Sequence, residues 1–451
     1  MKTRQAFILI LAVFLLIISQ SAQSQLPKES EAQKVQRMKW WTEARFGMFI
    51  HWGLYALPAR HEWVKNRERM TNEQYQKYFD NFNPDLYNPK EWARMAKDAG
   101  MKYVVLTAKH HEGFCLFDSK YTDYKSTNTP CGKDLIREYV EAFRAEGLKV
   151  GFYYSLIDWH HPDYTIDSRH PQRTDDDAEY ARMNRGKDMN KYREYMKNQV
   201  RELLTNYGEI SIIWFDFSFP GKNGKGRADW DSENLLKLAR SLQPGIIVDD
   251  RLDLKDVEGG WDFTTPEQYK VEKWPEYNGK KIPWETCQTF SGSWGYYRDE
   301  TTWKSPEQLL ELLIESVSKG GNLLLNVGPT ARGTFDYRAQ ERLKAMGEWM
   351  AVNSRSVSGC TEAPAGMYAP PNTLLTYNPV TKRLYIHLLV WPMGRLDLKN
   401  MADKVQYIQL LNDASEVRFT TGRDAAANDL QLTLPVLKPP VEIPVLEVLL
   451  K

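Results

Sequence analysis

The chain has 451 residues, 42% of them hydrophobic, and 60 Lys and Arg against 59 Asp and Glu leave a formal net charge of +1. That length and apolar share suffice for one large domain and a smaller one, and the balanced charge excludes a surface built to gather nucleic acid or anionic lipid. A neutral substrate fits better; 15 Trp and 24 Tyr supply faces on which sugars stack, though such rings equally fill cores.

The chain opens with Lys2 and Arg4, an apolar run from Ala6 to Ile18 and a small, polar stretch from Ser19 to Gln25, the three regions of a secretory signal peptide. Cleavage is expected after Ser24, giving a leader over 1–24 and an exported protein, periplasmic or secreted, with no membrane attachment once the leader is gone. An uncleaved anchor is the rival, but the run is shorter than the roughly 20 residues that span a bilayer. The four Cys at 115, 131, 287 and 360 form neither a zinc pattern nor a disulfide framework.

From Trp40 to Val352 short apolar runs alternate with amphipathic stretches, the rhythm of repeated βα units. The strands expected are Phe46–Trp52, Tyr103–Lys109, Val150–Ser155, Ile210–Phe217, Ile246–Arg251, Trp284–Thr289 and Asn322–Val327. The helices lie near Pro89–Ala99, Leu135–Glu146, Asp177–Tyr207, Ser232–Leu242, Ser305–Lys319 and Tyr337–Asn353. Seven such strands predict a (β/α)8-like barrel over 25–353 with one unit irregular or missing. A doubly wound open sheet is less fitting, because no Gly-rich phosphate turn follows the first strand. After Ser354 the runs Leu374–Tyr377, Arg383–Leu389, Val405–Leu410 and Leu430–Leu434 have no helices between them, so residues 354–451 read as an antiparallel β-sandwich.

The strand ends carry the chemistry. Asp216 closes the apolar run that begins at Ser211, and His51, His110 with His111, Tyr153 with Tyr154, Trp214 and Asp249 to Arg251 fall at or just past other ends, where barrels present catalytic side chains. A lone strand-end Asp is as readily structural as functional, but five polar ends describe one pocket rim. A metal site is disfavoured: neighbours on a strand face opposite ways, so His110 and His111 are not expected in one coordination sphere, and no His-Glu-x-x-His pattern is present. One of that pair is expected to meet substrate while the other supports the backbone.

Sugar hydrolysis needs two carboxyl groups, one as nucleophile or base and one to protonate the leaving oxygen. Asp216 is the first; Glu258, Asp262, Glu267 and Glu285 are candidates for the second.

These motifs resemble the α-L-fucosidases of glycoside hydrolase family 29. The likeness runs from Met38 to Val352 and is carried by Arg45-Phe-Gly-Met-Phe-Ile-His-Trp-Gly53, Thr107-Ala-Lys-His-His-Glu-Gly-Phe114, Phe152-Tyr-Tyr-Ser155, Trp214-Phe-Asp216, Trp284-Glu-Thr-Cys287 and Gly320-Gly-Asn-Leu-Leu-Leu-Asn-Val-Gly-Pro329. The resemblance implies a retaining enzyme acting on fucosylated oligosaccharides or glycoconjugates without cofactor or metal, with Asp216 as nucleophile. It implies His51, Glu62, Trp63, His110, His111, Tyr154, Trp214 and Arg251 as fucose ligands, with Phe46 or Trp294 as an apolar wall for the sugar's methyl group. The acid/base falls on a segment that varies within the family. Glu267, in Thr264-Thr-Pro-Glu267, is preferred because a Pro-fixed loop can aim a carboxyl; Glu285 is the alternative, or a brace for the site through Arg251. An α-galactoside hydrolase and a catalytically silent sugar-binding protein are the rival functions.

Overall fold

The computed structural model describes residues 29–421 and 428–451; the expected leader lies outside them. Strands β1 (Phe46–Ile50), β2 (Tyr103–Lys109), β3 (Lys149–Ser155), β4 (Ile212–Asp216), β5 (Ile247–Val248), β6 (Glu285–Thr289) and β7 (Asn322–Val327) form one parallel sheet in the order β5-β4-β3-β2-β1-β7-β6. Of their residues only Lys149 is exposed, as expected where helices cover one face and the barrel interior the other. Between β5 and β6 an irregular segment closes the ring: Phe263 bridges to Asp249, Thr264 to Trp284 and Glu267 to Cys287, all in parallel. This is the irregular unit anticipated from the sequence, and it brings Glu267 to the rim.

Side chains divide by the two-residue period of the strands. Phe49, Tyr103, Val105, Tyr153, Trp214, Cys287 and Leu324 point inward, together with Trp41 and Met38 of helix Glu31–Ala44. Met48, Ile50, Val104, Leu106, Phe152, Tyr154 and Phe215 point outward into the helix layer. Helix Glu31–Ala44, started by a capping box between Ser30 and Gln33, closes the N-terminal mouth and was not anticipated.

Two expected elements change. The helix expected over Asp177–Tyr207 is two, Asp177–Asn184 and Met189–Thr205, because Gly186 turns left-handed at φ 85° and Asp188 caps the second. The strand expected over Ile246–Arg251 shrinks to Ile247–Val248: the Phe215 N–H donates to the Asp249 side chain at 3.0 Å instead of continuing a backbone ladder.

Beyond helix Tyr337–Asn353 come two antiparallel sheets. Thr373–Asn378, Arg383–Leu388, Val445–Leu450 and Val405–Leu410 are neighbours in that order in one; Arg395–Leu398, Leu430–Thr433 and Arg418–Thr421 form the other. Leu384, Ile386, Leu432 and Val448 fill the space between them, the sandwich expected. Its outer face joins the barrel's core through Tyr385, Ile443 and Val445, and Trp349 Nε1 donates to the Ile443 carbonyl at 2.8 Å.

Candidate active site

The C-terminal strand ends surround a cavity of about 590 Å³, room for a monosaccharide and part of its neighbour. Asp216, the last residue of β4, stands in it with 7% of its surface exposed. Tyr153 Oη donates to Asp216 Oδ2 at 2.8 Å and Arg251 Nη1 donates to Oδ1 at 2.9 Å. His111 Nε2 lies 4.0 Å from Oδ2.

Arg251 also reaches the irregular strand. Its Nη2 donates to Glu267 Oε2 at 2.7 Å, its Nε donates to Thr265 Oγ1 at 2.9 Å, and its guanidinium carbon sits 4.4 Å from the Trp214 ring centroid. One rigid cation therefore spans two carboxyl groups, and the neighbouring carboxylates raise its already high pKa further against the cost of burial. Gln268, left-handed at φ 60°, turns the chain directly after Glu267 and donates to Thr289 Oγ1 at 2.9 Å, so Glu267 is held at the rim, 40% of its side chain exposed.

The histidines line the opposite wall. His51 Nδ1 is 2.6 Å from Asn326 Oδ1, and burial pushes its pKa down to about 3; the ring is neutral. His111 Nδ1 is 2.7 Å from Ser155 Oγ, and burial again holds the ring neutral. Glu62 Oε2 accepts from the Gly295 and Trp294 N–H groups at 2.9 and 3.2 Å. Burial would raise Glu62, but His61 and the Gly295 N–H outweigh it and bring it to about 2. Phe49 and Trp294, with ring centroids 6.0 Å apart, supply an apolar surface beside His51.

Of the residues singled out in the sequence, His51, Glu62, Trp63, His110, His111, Trp214, Asp216, Arg251, Glu267 and Trp294 converge on this cavity. Tyr154 does not: it points into the helix layer and donates to Gln199 Oε1 at 2.8 Å. Tyr153 takes the place expected of it, because register pairs Tyr153 with inward Trp214 and Tyr154 with outward Phe215. Phe46 is likewise outward and Phe49 inward.

Glu285 is also elsewhere. It is buried at the start of β6, in the floor of the barrel, accepting from Tyr103 Oη and, at 3.3 Å, from Trp41 Nε1. It makes no bond to Arg251, whose partners are Asp216, Glu267 and Thr265. Nor do His110 and His111 diverge. Both follow the last residue of β2, where strand alternation no longer applies, and their ring centroids are 4.1 Å apart on the same wall. Sequence reading placed Tyr153 on the rim but chose Tyr154 as the ligand, and it missed Phe49, His61, Arg67, Arg169 and Phe217 in the lining; the inward parity of Trp214 would have selected Tyr153, whereas Arg67 and Arg169 come from loops without periodicity.

A family model described as alpha-L-fucosidase matches residues 14–355. The tissue alpha-L-fucosidase of Mus musculus is 30% identical over 407 residues, covering 83% of this chain and 84% of that one. Among solved structures, alpha-L-fucosidase isoenzyme 1 from Paenibacillus thiaminolyticus is 46% identical with a TM-score of 0.86, over 93% of this chain and 99% of its own. An alpha-L-fucosidase of glycoside hydrolase family 29 from Bacteroides thetaiotaomicron, solved as a trapped covalent intermediate in a glutamate-to-glutamine mutant, is 28% identical with a TM-score of 0.79, over 95% and 98%. The chain belongs to the α-L-fucosidase family, glycoside hydrolase family 29.

Proposed function

We propose that the protein hydrolyses α-L-fucosyl linkages of glycans with retention, through a covalent fucosyl ester on Asp216, and that it does so after export. The observation that carries the reading is the shared guanidinium of Arg251, which brings Asp216 and Glu267 to one cation. Tyr153 and Arg251 each hold one oxygen of Asp216, so the carboxylate is oriented before substrate arrives, and little reorganisation is left for the reaction.

In the first step an Asp216 oxygen bonds to the anomeric carbon as the bond to the leaving oxygen breaks, and Glu267 gives that oxygen its proton. In the second, Glu267 takes a proton from water, whose oxygen bonds to the anomeric carbon as the Asp216 ester breaks. A single negative charge thus resides on Asp216 before the first step and on Glu267 after it, beside the same guanidinium throughout. His51, His110, His111, Glu62 and Trp63 hold the sugar's hydroxyls, and Phe49 with Trp294 receives its methyl group. Two related structures support this division of roles: the trapped intermediate of the Bacteroides enzyme, and a Thermotoga maritima fucosynthase carrying an aspartate-to-glycine change.

Asp216→Gly tests the reading. Turnover of an aryl α-L-fucoside should fall by at least about 10³-fold with fucose binding kept, and azide should restore part of it by giving a fucosyl azide of inverted configuration. Unchanged turnover would refute the assignment. Parallel assays on an aryl α-D-galactoside separate the fucosidase from its nearest rival. For export, the mature protein should begin at Gln25 on N-terminal sequencing. Among the described residues no helix is long and apolar enough to cross a membrane.

A further inference from the structure

Glu112 follows the two histidines of Lys109-His110-His111-Glu112 and has no part in the chemistry above. It is 1% exposed, and neither of its carboxyl oxygens has a hydrogen-bond partner among the described residues. A buried carboxylate without a donor is costly, so its surroundings are informative. His110 lies beside it: its Nδ1 is 3.5 Å from Glu112 Oε2 and is itself buried without a partner. Other polar groups are packed around Glu112, none of them hydrogen-bonded to it. Lys65 donates one of its three ammonium hydrogens to Asn72 Oδ1 at 2.9 Å and interacts with Glu112 through charge alone, and Tyr55 Oη shares a hydrogen bond with Thr107 Oγ1 at 3.3 Å. Gly53 leaves room for the carboxyl, since a Cβ there would stand 2.8 Å from Oε1. The Tyr75 hydroxyl, also buried, has no partner of its own.

The other two histidines show what such a support does. Asn326 Nδ2 donates to the Trp294 carbonyl at 2.7 Å, so its Oδ1 is the acceptor, and His51 Nδ1 must carry the ring proton. Ser155 Oγ gives its hydrogen to the Ile157 carbonyl at 2.7 Å, so His111 Nδ1 must carry its proton too. In both rings Nε2 is left as an acceptor turned to the cavity. His110 lies in the same wall, 5.5 Å from His51 and 4.1 Å from His111 by ring centroid.

We infer that Glu112 is a positioning residue for His110: its carboxylate accepts the Nδ1 proton of His110, and the three histidines present three Nε2 acceptors to donor hydroxyls of one sugar. The inference rests on reading the cavity as the fucose site. The gap of 3.5 Å closes when a hydroxyl seats against Nε2, as catalytic hydrogen bonds commonly tighten in the complex.

The test is NMR on the full chain labelled with ¹⁵N-histidine, with and without L-fucose, the His110 signals being assigned by their loss in His110→Asn. Fucose-bound wild-type protein should show a proton on Nδ1 of His110 and none on Nε2. Glu112→Gln, whose carbonyl can still accept, should keep that tautomer and a KM for aryl α-L-fucoside within about threefold of wild type. Glu112→Leu should lose the tautomer and raise KM about tenfold, the loss of one charge-assisted hydrogen bond, with kcat within about twofold because ground state and transition state lose it alike. A proton on Nε2 of His110 in the fucose-bound wild-type protein overturns the inference even if Glu112→Leu does not fold. So does a wild-type KM in Glu112→Leu. If wild-type protein neither binds fucose nor turns over the fucoside, the reading of the cavity itself fails.

Discussion

At the scale of single residues, Arg251 is the most exposed to test. In the proposed reaction it neutralises one carboxylate charge at each stage, and a preorganised cation of this kind is worth about 10²- to 10³-fold in kcat. Arg251→Met should cost that much in steady-state turnover, while Tyr153→Phe, which leaves Arg251 on Asp216, should cost less. Glu267→Ala should slow natural linkages far more than activated aryl fucosides, whose leaving groups need little protonation; equal slowing of both would remove Glu267 from the acid's role. Glu285 makes the contrast. Burial pushes its carboxyl up from 4.5 to about 7, so between those values the folded protein holds a proton that the unfolded chain has released. Its contribution is complete below about pH 4.5 and is lost as pH rises towards 7, on the order of 3 kcal/mol in all. Denaturant titrations across that window should show wild type losing stability relative to Glu285→Gln, and Glu285→Gln should remain an active hydrolase.

At the scale of elements, the strands were legible because helices cover one face and the interior the other, leaving near-continuous apolar runs such as Phe46–Ile50 and Ile212–Asp216. Which face each side chain takes was less so. Parity alone separates Tyr153 from Tyr154 and Phe49 from Phe46, and it requires a fixed reference such as Trp214, whose register with Tyr153 only the sheet reveals. The pair His110 and His111 shows the converse error, since parity was applied one residue beyond the end of β2. The segment Phe263–Glu267 has too few regular bridges to read as a strand, yet its Pro266 and the Thr264 and Thr265 bonds to Asp250 at 2.5 and 3.1 Å aim Glu267. Gly47 belongs to this scale. A Cβ there would lie 2.4 Å from the Tyr103 ring, the ring that holds Glu285 in the floor. Gly47→Ala should destabilise the fold by about 1–3 kcal/mol of overpacking, read as a lowered denaturation midpoint.

At the scale of the whole molecule, the sandwich was legible from strand runs without intervening helices, but its attachment was not. Tyr385, Ile443 and Val445 join the barrel's core rather than the sandwich's own, and Arg45 Nε donates to the Cys360 carbonyl at 2.7 Å. A surface this shared implies that barrel and sandwich unfold together. A chain ended after Asn353 should therefore be insoluble or melt well below the full chain, whereas the full chain should give one calorimetric transition; two separated transitions would mean the halves are independent.

The central claim, a fucosyl ester on Asp216, is most directly tested by trapping it. After incubation with 2-deoxy-2-fluoro-α-L-fucosyl fluoride, whose fluorine slows the second step, the intact protein should gain the mass of one fluorofucosyl group. Proteolysis and mass spectrometry should then find that group on the peptide containing Asp216. A label on Glu267 or Glu285, or turnover with inverted configuration and no label at all, would contradict the account.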